Sequence, residues 1–298
     1  MIKQTLTFVS PVSLSLKDKQ LVISSEDSED VITRPIEDIG FIVLENQMVK
    51  MTIPLMNFLT DNNVSVVLCD SKRMPKTMLM NLDGNRTLQE SYRYQIQASE
   101  PNKKRIWKQI IESKIRNQAA LLEKVKKNAN LLKPYYMNVK SGDTDNREGA
   151  ASRIYWNLMF AENFHREREG EAPNNLLNYG YAILRAAVAR ALVGSGLFPA
   201  LGIFHRNRYN AFPLADDVME PFRPFVDEIV YRLYVEMSID ELNRYSKNEL
   251  LRVLFTDVKM EKMTRPLEVA LSITTASLVK VFKGEATHLA LPKICKDE

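Results

Sequence analysis

Three segments of this 298-residue chain carry the side chains that a catalytic metal site needs. His205, one of only three histidines, follows the apolar run 202–204, and Asp217 and Glu220 come a short distance later. A further acid, Glu148, lies upstream. An imidazole nitrogen with carboxylate oxygens is a suitable ligand set for a catalytic divalent ion. These residues are therefore candidates for metal-assisted chemistry.

Each of these side chains also has an ordinary structural explanation. A lone histidine is more often a hydrogen-bonded residue than a ligand, and an acid such as Glu148 near a helix start stabilises the helix dipole. Asp217 and Glu220 suit a first helical turn, because Pro221 is tolerated only near a helix start. Structural ion pairs use the same residue types. His205 favours a functional site, because a histidine that follows an apolar segment needs a charged partner nearby.

A helical region must position these residues, and the sequence predicts that it begins near Thr87. From there apolar residues recur at helical spacing, and 176–192 is apolar nearly all round, which predicts a buried central helix. The polar loop 138–148 leads into a helix at about Glu148, for which the candidate N-caps are Asp143, Thr144 and Asp145. Further core helices are predicted over 226–235 and 267–281.

The first 85 residues have a different character. Short β-branched runs predict strands over 5–9, 12–16, 20–24, 39–44 and 64–69. Polar residues predict turns at 17–19 and 25–30, and 52–62 has helical spacing. Strands followed by helices, without alternation, predict a segregated α+β fold. We expect a small β-rich domain over 1–85 and a larger, all-helical catalytic domain over 86–298.

The charge of the chain is concentrated in one segment. Residues 103–140 hold eleven Lys or Arg and two Glu, a net charge of +9, whereas the whole chain carries +4. A surface of this kind attracts phosphate backbones, although a solvated lysine-rich helix would have the same composition. The candidate phosphate contacts in this segment are Lys103, Lys104, Arg105, Lys108, Lys114 and Arg116. Tyr155, Trp156 and Tyr209 are candidates for stacking on unpaired bases.

Composition also bounds where the protein works. Cys69 and Cys295 lie far apart and form no metal-type pair or disulfide framework, so a reducing cytoplasm is the simpler interpretation. No run approaches the roughly 18–20 apolar residues of a membrane span. Even the most apolar stretch, 179–198, carries Arg185 and Arg190. We therefore expect no membrane partner.

Four motifs in a fixed order resemble a known family. They are E-G-x-x-S-R-x-Y-W from Glu148, N-N-L-L-N-Y-G-Y over 174–181, G-I-F-H over 202–205 and D-x-M-E-P-F-R-P over 217–224. Their order and spacing resemble the CRISPR-associated spacer-acquisition integrases, the Cas-one family. Within that family the sequence is most similar to the branch found with type II, single-protein effector systems.

The resemblance implies roles for the residues that match the motifs. A glutamate, a histidine and a second acid bind a divalent ion in the family, and these positions are Glu148, His205 and Glu220 here. Asp217 falls on a nearby acidic position that supports the site. An oxygen-rich set with one imidazole suits Mg²⁺ or Mn²⁺. The arginines nearest to these ligands in sequence are the better candidates for gripping the reacting strand, and they are Arg147, Arg153, Arg206, Arg208 and Arg223.

The resemblance also implies a reaction and an assembly. Family members join the 3′-hydroxyl ends of a short foreign duplex, the protospacer, to the borders of a repeat array by transesterification, without a nucleoside triphosphate. A homodimer forms through the β-rich domain, and two dimers flank a small partner, the Cas-two protein. The resemblance also makes the type II effector nuclease a candidate partner.

Two other functions fit the same residues. The first is a metal-dependent DNA nuclease that only hydrolyses, for which the same three ligands would serve. The second is a DNA-binding scaffold without catalytic activity, in which Glu148, His205 and Glu220 could each be replaced without loss of function. The requirement for a 3′-hydroxyl on one DNA separates integration from hydrolysis.

Overall fold

The structure is a computed structural model that describes residues 3–25, 28–81, 85, 87–161, 164–167, 170–261 and 263–295. Contacts between residues divide the chain into two compact units, Met1–Arg86 and Thr87–Glu298. The first unit is β-rich and the second is mainly helical, which confirms the predicted α+β class. The role in dimerisation predicted for the β-rich unit stays a prediction.

The first unit contains two four-stranded sheets and one helix. Its strands are β1 (Gln4–Phe8), β2 (Ser13–Lys17), β3 (Gln20–Ser25), β4 (Ser28–Pro35), β5 (Ile39–Leu44), β6 (Lys50–Met51), β7 (Ser65–Cys69) and β8 (Pro75–Leu79), and its helix is α1 (Ile53–Asp61). The strand orders are β1-β5-β7-β8 and β4-β3-β2-β6. β5 is buried along its whole length between parallel β1 and β7, as its unbroken apolar sequence predicts.

Three of these strands were not predicted. One of them, β6, is only two residues long. The acidic residues near 25–30 suggested a turn, but β4 begins at Ser28 and pairs antiparallel with β3. The segment that forms β8 is short and half exposed, so it lacks the apolar run that identifies a buried strand.

Helices make up most of the second unit. They are α2 (Leu88–Gln97), α3 (Glu100–Lys124), α4 (Lys133–Met137), α5 (Arg147–Met159), α6 (Asn174–Gly194), α7 (Pro213–Met219), α8 (Arg223–Tyr231), α9 (Arg244–Leu251) and α10 (Leu267–Lys283). A small sheet, in the order β10-β9-β11, is formed by β9 (Asp257–Met260), β10 (Met263–Pro266) and β11 (Lys293–Ile294). β11, near the C-terminal end of the described residues, pairs antiparallel with β9.

Helices α3 and α6 form the framework for the site. α6 packs against α7, α8, α9 and α10, and α3 packs against α5 and the turn that follows α7. By length and composition α6 could cross a membrane, but 72% of its most apolar window is buried inside the unit. A helix that is apolar all round and covered by other helices is a core helix.

Candidate metal centre

The long helix α3 places a lysine inside the second unit. Ser99 caps the helix and accepts a hydrogen bond from the Asn102 N–H. The apolar side chains at 106, 107, 110, 111 and 115 form its buried face, and Lys114 lies on the same face, only 7% exposed. The prediction that Lys114 contacts DNA phosphates from the surface is therefore wrong, because its position in the helical repeat directs it inward.

The start of α5 holds Glu148 in place. Asn146 is the N-cap, in a left-handed conformation (φ 51°), and its side chain accepts a hydrogen bond from the Gly149 N–H. None of the predicted caps occupies that position. Asp143 still contributes, since its carboxylate accepts hydrogen bonds from the backbone N–H groups of Arg147 (2.8 Å) and Glu148 (3.0 Å). The first turn of the helix is thus fixed from two sides.

Glu220 lies in a short 3₁₀ turn, Glu220–Phe222, between α7 and α8. The prolines at 221 and 224 explain the turn, since proline lacks the N–H that a continuous helix would use. The buried Asn117 amide of α3 donates to the Pro221 carbonyl at 2.8 Å and to the Pro292 carbonyl at 3.0 Å. Asn117 therefore ties the turn that carries Glu220 to α3 and to the C-terminal segment.

His205 is oriented by Asp217. The Asp217 side chain is fully buried and accepts from the backbone N–H groups of Ile203 (2.5 Å), Phe204 (3.1 Å) and His205 (3.1 Å). The same carboxylate lies 2.6 Å from His205 Nδ1. Since a carboxylate only accepts, Nδ1 carries the proton and Nε2 stays available as a ligand or base. Asp217 raises the pKa of His205 through this hydrogen bond, against the effect of burial.

Four charged side chains converge where α3, α5 and the 3₁₀ turn meet. The Lys114 ammonium contacts Glu148 Oε1 and lies 2.5 Å from Glu220 Oε2, and Arg223 Nε lies 2.9 Å from Glu220 Oε1. Burial would raise the pKa of Glu220, but Arg223 and Lys114 outweigh it and lower that pKa to about 2. Lys114 likewise lowers the pKa of Glu148. Both carboxyl groups are therefore ionised at neutral pH.

A buried tyrosine–carboxylate cluster lies behind Arg223. The hydroxyls of Tyr155 and Tyr181 both donate to Asp227, and Arg223 lies 4.5 Å above the Tyr181 ring. Burial raises the pKa of Asp227 to about 6 in spite of these hydrogen bonds. Tyr155 is fully buried, so the prediction that it stacks on bases is wrong. Tyr155 and Tyr181 belong to two of the four motifs, but the motifs do not show that both side chains meet Asp227, because the three residues are far apart in sequence.

The donor chemistry fits a divalent ion. Glu148 and Glu220 meet at one cation position, and His205 is close enough for the charge of Glu220 to raise its pKa. Glu220 Oε2 is buried and faces the Lys114 ammonium at 2.5 Å. Within the described parts of the chain, no three His, Cys, Asp or Glu side chains are arranged to hold a metal as they stand. Lys114 occupies the position between the two carboxylates, so an ion requires it to move.

Most of the predicted DNA contacts lie at the surface of the second unit. Lys104, Arg105, Arg116, Arg153, Arg206 and Arg208 are exposed, and Lys103, Lys108 and Arg147 are half-buried. Several are paired with local acids: Arg206 with Glu100 at 2.8 Å, Arg147 with Asp145 at 2.9 Å and Lys108 with Glu112 at 3.6 Å. Arg223 is held by Glu220 and is a structural part of the centre.

An open cavity lies next to His205. Its volume is about 400 Å³, and His205, Lys103, Arg206 and Arg208 are among its lining residues. Tyr209, at the same loop, is 80% exposed, while Trp156 packs against Phe160. A second cavity of about 480 Å³ has none of the predicted site residues in its lining. The cavity beside His205 therefore offers the basic surface nearest to the centre.

Comparisons with known proteins show what this chain is similar to. The CRISPR-associated endonuclease Cas1 of Neisseria meningitidis serogroup C (strain 8013) is 35% identical over 285 residues, which cover 94% of this chain and 93% of that protein. A casposase bound to its integration product has a TM-score of 0.80 at 20% identity, covering 97% of this chain and 93% of that one.

A partial Cas6-RT-Cas1–Cas2 complex has a TM-score of 0.65 at 20% identity, covering 99% of this chain and 100% of that one. At such identities these two structures show a shared fold. The family model described as CRISPR associated protein Cas1 matches residues 7–268. This chain therefore belongs to the Cas1 family of CRISPR-associated proteins, in which the Neisseria relative is named an endonuclease.

Proposed function

We propose that this protein joins the 3′-hydroxyl ends of short DNA duplexes to the borders of a repeat array, using Mg²⁺ or Mn²⁺. The observation that carries the proposal is the meeting of Glu148 and Glu220 at one buried cation position, with His205 beside it. The family membership and the casposase bound to an integration product support integration.

Glu148, Glu220 and His205 Nε2 would hold the divalent ion. When bound there, a divalent ion supplies Lewis-acid activation of the scissile phosphate and lowers the pKa of the attacking hydroxyl. Asp217 fixes the His205 ring, as partners of metal-bound histidines usually do. Arg223 holds Glu220 in position through Oε1, so Oε2, which faces the Lys114 ammonium, is the oxygen that would bind the ion.

The reaction exchanges one phosphodiester bond for another. The 3′-oxygen of the incoming strand forms a bond to phosphorus and loses its proton, and the 3′-oxygen of the repeat strand leaves and takes up a proton. No bond energy has to be supplied from outside, so the work of the protein is to hold the strands in line. The basic side chains Lys103, Arg206 and Arg208 around the cavity beside His205 would bind the phosphates.

The assembly is also part of the proposal. The Cas1–Cas2 complex among the fold neighbours supports a Cas2 partner, and the casposase bound to an integration product supports DNA as a ligand. A homodimer through the β-rich unit, two such dimers around Cas2, contact with a type II effector nuclease and a cytoplasmic location stay predictions.

Strand transfer tests the function directly. A supercoiled plasmid with a repeat array, a labelled duplex with 3′-hydroxyl ends, the Cas2 partner and Mn²⁺ are mixed with wild type or with His205→Ala. We expect label joined to the plasmid, lost in His205→Ala, on chelation and with a 3′-deoxy duplex. His165→Ala is a matched control, because His165 is exposed and belongs to none of the site contacts.

The other outcomes separate the rival functions. Nicking of the plasmid that does not need the 3′-hydroxyl would favour a hydrolytic nuclease. DNA binding with neither product, and with no effect of Glu148→Gln, His205→Ala or Glu220→Gln, would favour a scaffold and contradict the proposal.

A further inference from the structure

The least expected residue of the centre is Lys114. It extends from the buried face of α3 between carboxylates from two other elements, contacting Glu148 Oε1 and lying 2.5 Å from Glu220 Oε2. An ammonium and a divalent ion both bind carboxylate oxygens, at separations too short for the two cations to share one position. Lys114 thus occupies the place that the proposed function assigns to the ion.

Charge explains why an internal cation is needed there. Glu148 and Glu220 carry two negative charges in a largely buried place, and Arg223 compensates only one of them. Without Lys114 the set of three would keep a net charge of −1, and an uncompensated buried charge is strongly destabilising. Lys114 therefore supplies in the metal-free protein the positive charge that the folded centre requires.

The Lys114 ammonium contacts an oxygen of each carboxylate. It donates a hydrogen bond to Glu148 Oε1 and lies 2.5 Å from Glu220 Oε2. Two carboxylate oxygens held on one cation are the oxygens that a divalent ion at the same position would bind.

We propose that Lys114 is an internal counter-ion that holds the cation position between Glu148 and Glu220 until a divalent ion displaces it. The inference rests on the proposed function, since it concerns the same centre. Displacement makes Lys114 a competitor of the ion. The apparent affinity falls by the fraction of molecules in which the site is open, so an ammonium in place in about nine molecules of ten weakens binding about tenfold.

Metal titration of Lys114 variants tests the competition. Lys114→Met keeps the aliphatic stem and removes the charge, and Lys114→Arg keeps the charge. We expect the Kd for Mn²⁺, measured by calorimetry, to fall about tenfold in Lys114→Met and to stay the same or rise in Lys114→Arg. Without metal, Lys114→Met should unfold at a lower temperature than wild type, and saturating Mn²⁺ should close the gap.

Two control variants make the result specific. Lys108→Met removes another charge from α3, where Lys108 is 41% exposed and pairs with Glu112, so it should leave the Kd unchanged. Glu148→Gln should abolish Mn²⁺ binding. An unchanged or higher Kd in Lys114→Met, with binding still lost in Glu148→Gln, would overturn the counter-ion role and leave the metal site intact. Absence of Mn²⁺ binding to every form would instead overturn the metal site of the proposed function, and the counter-ion role with it.

A second measurement uses the wild-type protein and does not depend on the folding of a variant. The ammonium of Lys114 is buried and hydrogen-bonded, so its ¹⁵N–¹H signal should be protected from exchange with water. We expect saturating Mg²⁺ to abolish that signal as the ammonium leaves the site. A signal that persists unchanged with Mg²⁺ bound would contradict displacement.

Discussion

At the scale of single residues, hydrogen bonds and ion pairs within the protein determine which atoms of the centre can bind a cation. Asp217 uses its two oxygens on three backbone N–H groups and on His205 Nδ1, so the imidazole has one nitrogen left. Arg223 holds Glu220 Oε1, so Oε2 is the oxygen that faces the cation position held by Lys114. These engaged atoms select the faces of His205 and Glu220 that can meet a cation.

Replacing Asp217 by Asn should therefore weaken metal binding. An amide group next to Nδ1 can donate to it, which moves the imidazole proton to Nε2 and removes the free lone pair. We expect the Kd for Mn²⁺ to rise about 10–100-fold, as for other partners of metal ligands. Calorimetry on Asp217→Asn measures it, with Asp216→Asn as the control, because Asp216 pairs with Arg185 and not with His205. Equal Kd values for the two variants would contradict this role.

Asp227 makes stability depend on pH. Its pKa is raised from 3.8 to about 6 by burial, so the folded protein favours the protonated form. The resulting stabilisation is present below about pH 4 and is lost as the pH rises through about 6. Asp227→Asn has no carboxyl group to ionise at this position, so it does not lose stability in this way. As the pH rises between those limits, the free energy of unfolding of the variant should therefore increase by about 3 kcal/mol relative to that of wild type.

Urea unfolding of wild type and Asp227→Asn at several pH values measures this difference. The comparison removes the contribution of all other titrating groups, which both proteins share. A constant difference between the two proteins from about pH 4 to about pH 7 would show that Asp227 is not responsible.

At the scale of elements, close packing of helices sets the position of the site turn. Gly180 of α6 lies against Val226 of α8, and a β-carbon at Gly180 would be 2.5 Å from Val226 Cγ1. Since α8 directly follows the turn that carries Glu220, the distance between α6 and α8 helps to place that carboxylate. The glycine is required for close approach and not for an unusual backbone angle.

Gly180→Ala should consequently destabilise the second unit. Overpacking at a closely packed position costs about 1–3 kcal/mol. Val226→Ala removes the γ-carbons that would collide, so Gly180→Ala should cost clearly less in that background. Denaturant unfolding of the four proteins of this double-mutant cycle measures the coupling. Additive effects of the two substitutions would contradict the close approach of the two helices.

At the scale of the whole molecule, the basic side chains behind the +9 charge of residues 103–140 differ in their exposure. Lys114 is buried in the centre, whereas Lys104, Arg105 and Arg116 are exposed on α3. Exposed cations on one helix suit contacts to a phosphate backbone, and such contacts position DNA without reading its sequence. They also make binding sensitive to salt.

Changing Lys104, Arg105 and Arg116 to Ala should lower the affinity for DNA and should also make that affinity less dependent on salt. For every phosphate that the variant no longer neutralises, the slope of log K against log salt should decrease by about 0.9. Fluorescence anisotropy with a labelled duplex at several salt concentrations measures both quantities. Lys17, Lys72 and Lys76, exposed on the β-rich unit, form a charge-matched control set that should have no effect. Equal weakening by both sets would indicate a general charge effect and no DNA site on α3.

The sequence by itself determined the segregated α+β fold and the family, and it named Glu148, His205 and Glu220 as candidates for the centre. Apolar periodicity reports which side chains are buried, and short motifs such as G-I-F-H and E-P-F-R-P keep their chemistry close together in the chain. The same local signals missed β4, β6, β8 and the small sheet, which lack long apolar runs.

Only the tertiary structure decided what surrounds the motif residues. Lysine is a residue type that is usually exposed at the surface. Nothing near Lys114 in the sequence shows that α3 directs its side chain towards two acids that lie 34 and 106 residues away. The cluster of Tyr155, Tyr181 and Asp227 is equally dispersed in the chain. A local pattern identifies which groups can react, whereas their partners depend on contacts between distant segments, which only the packing of the helices specifies.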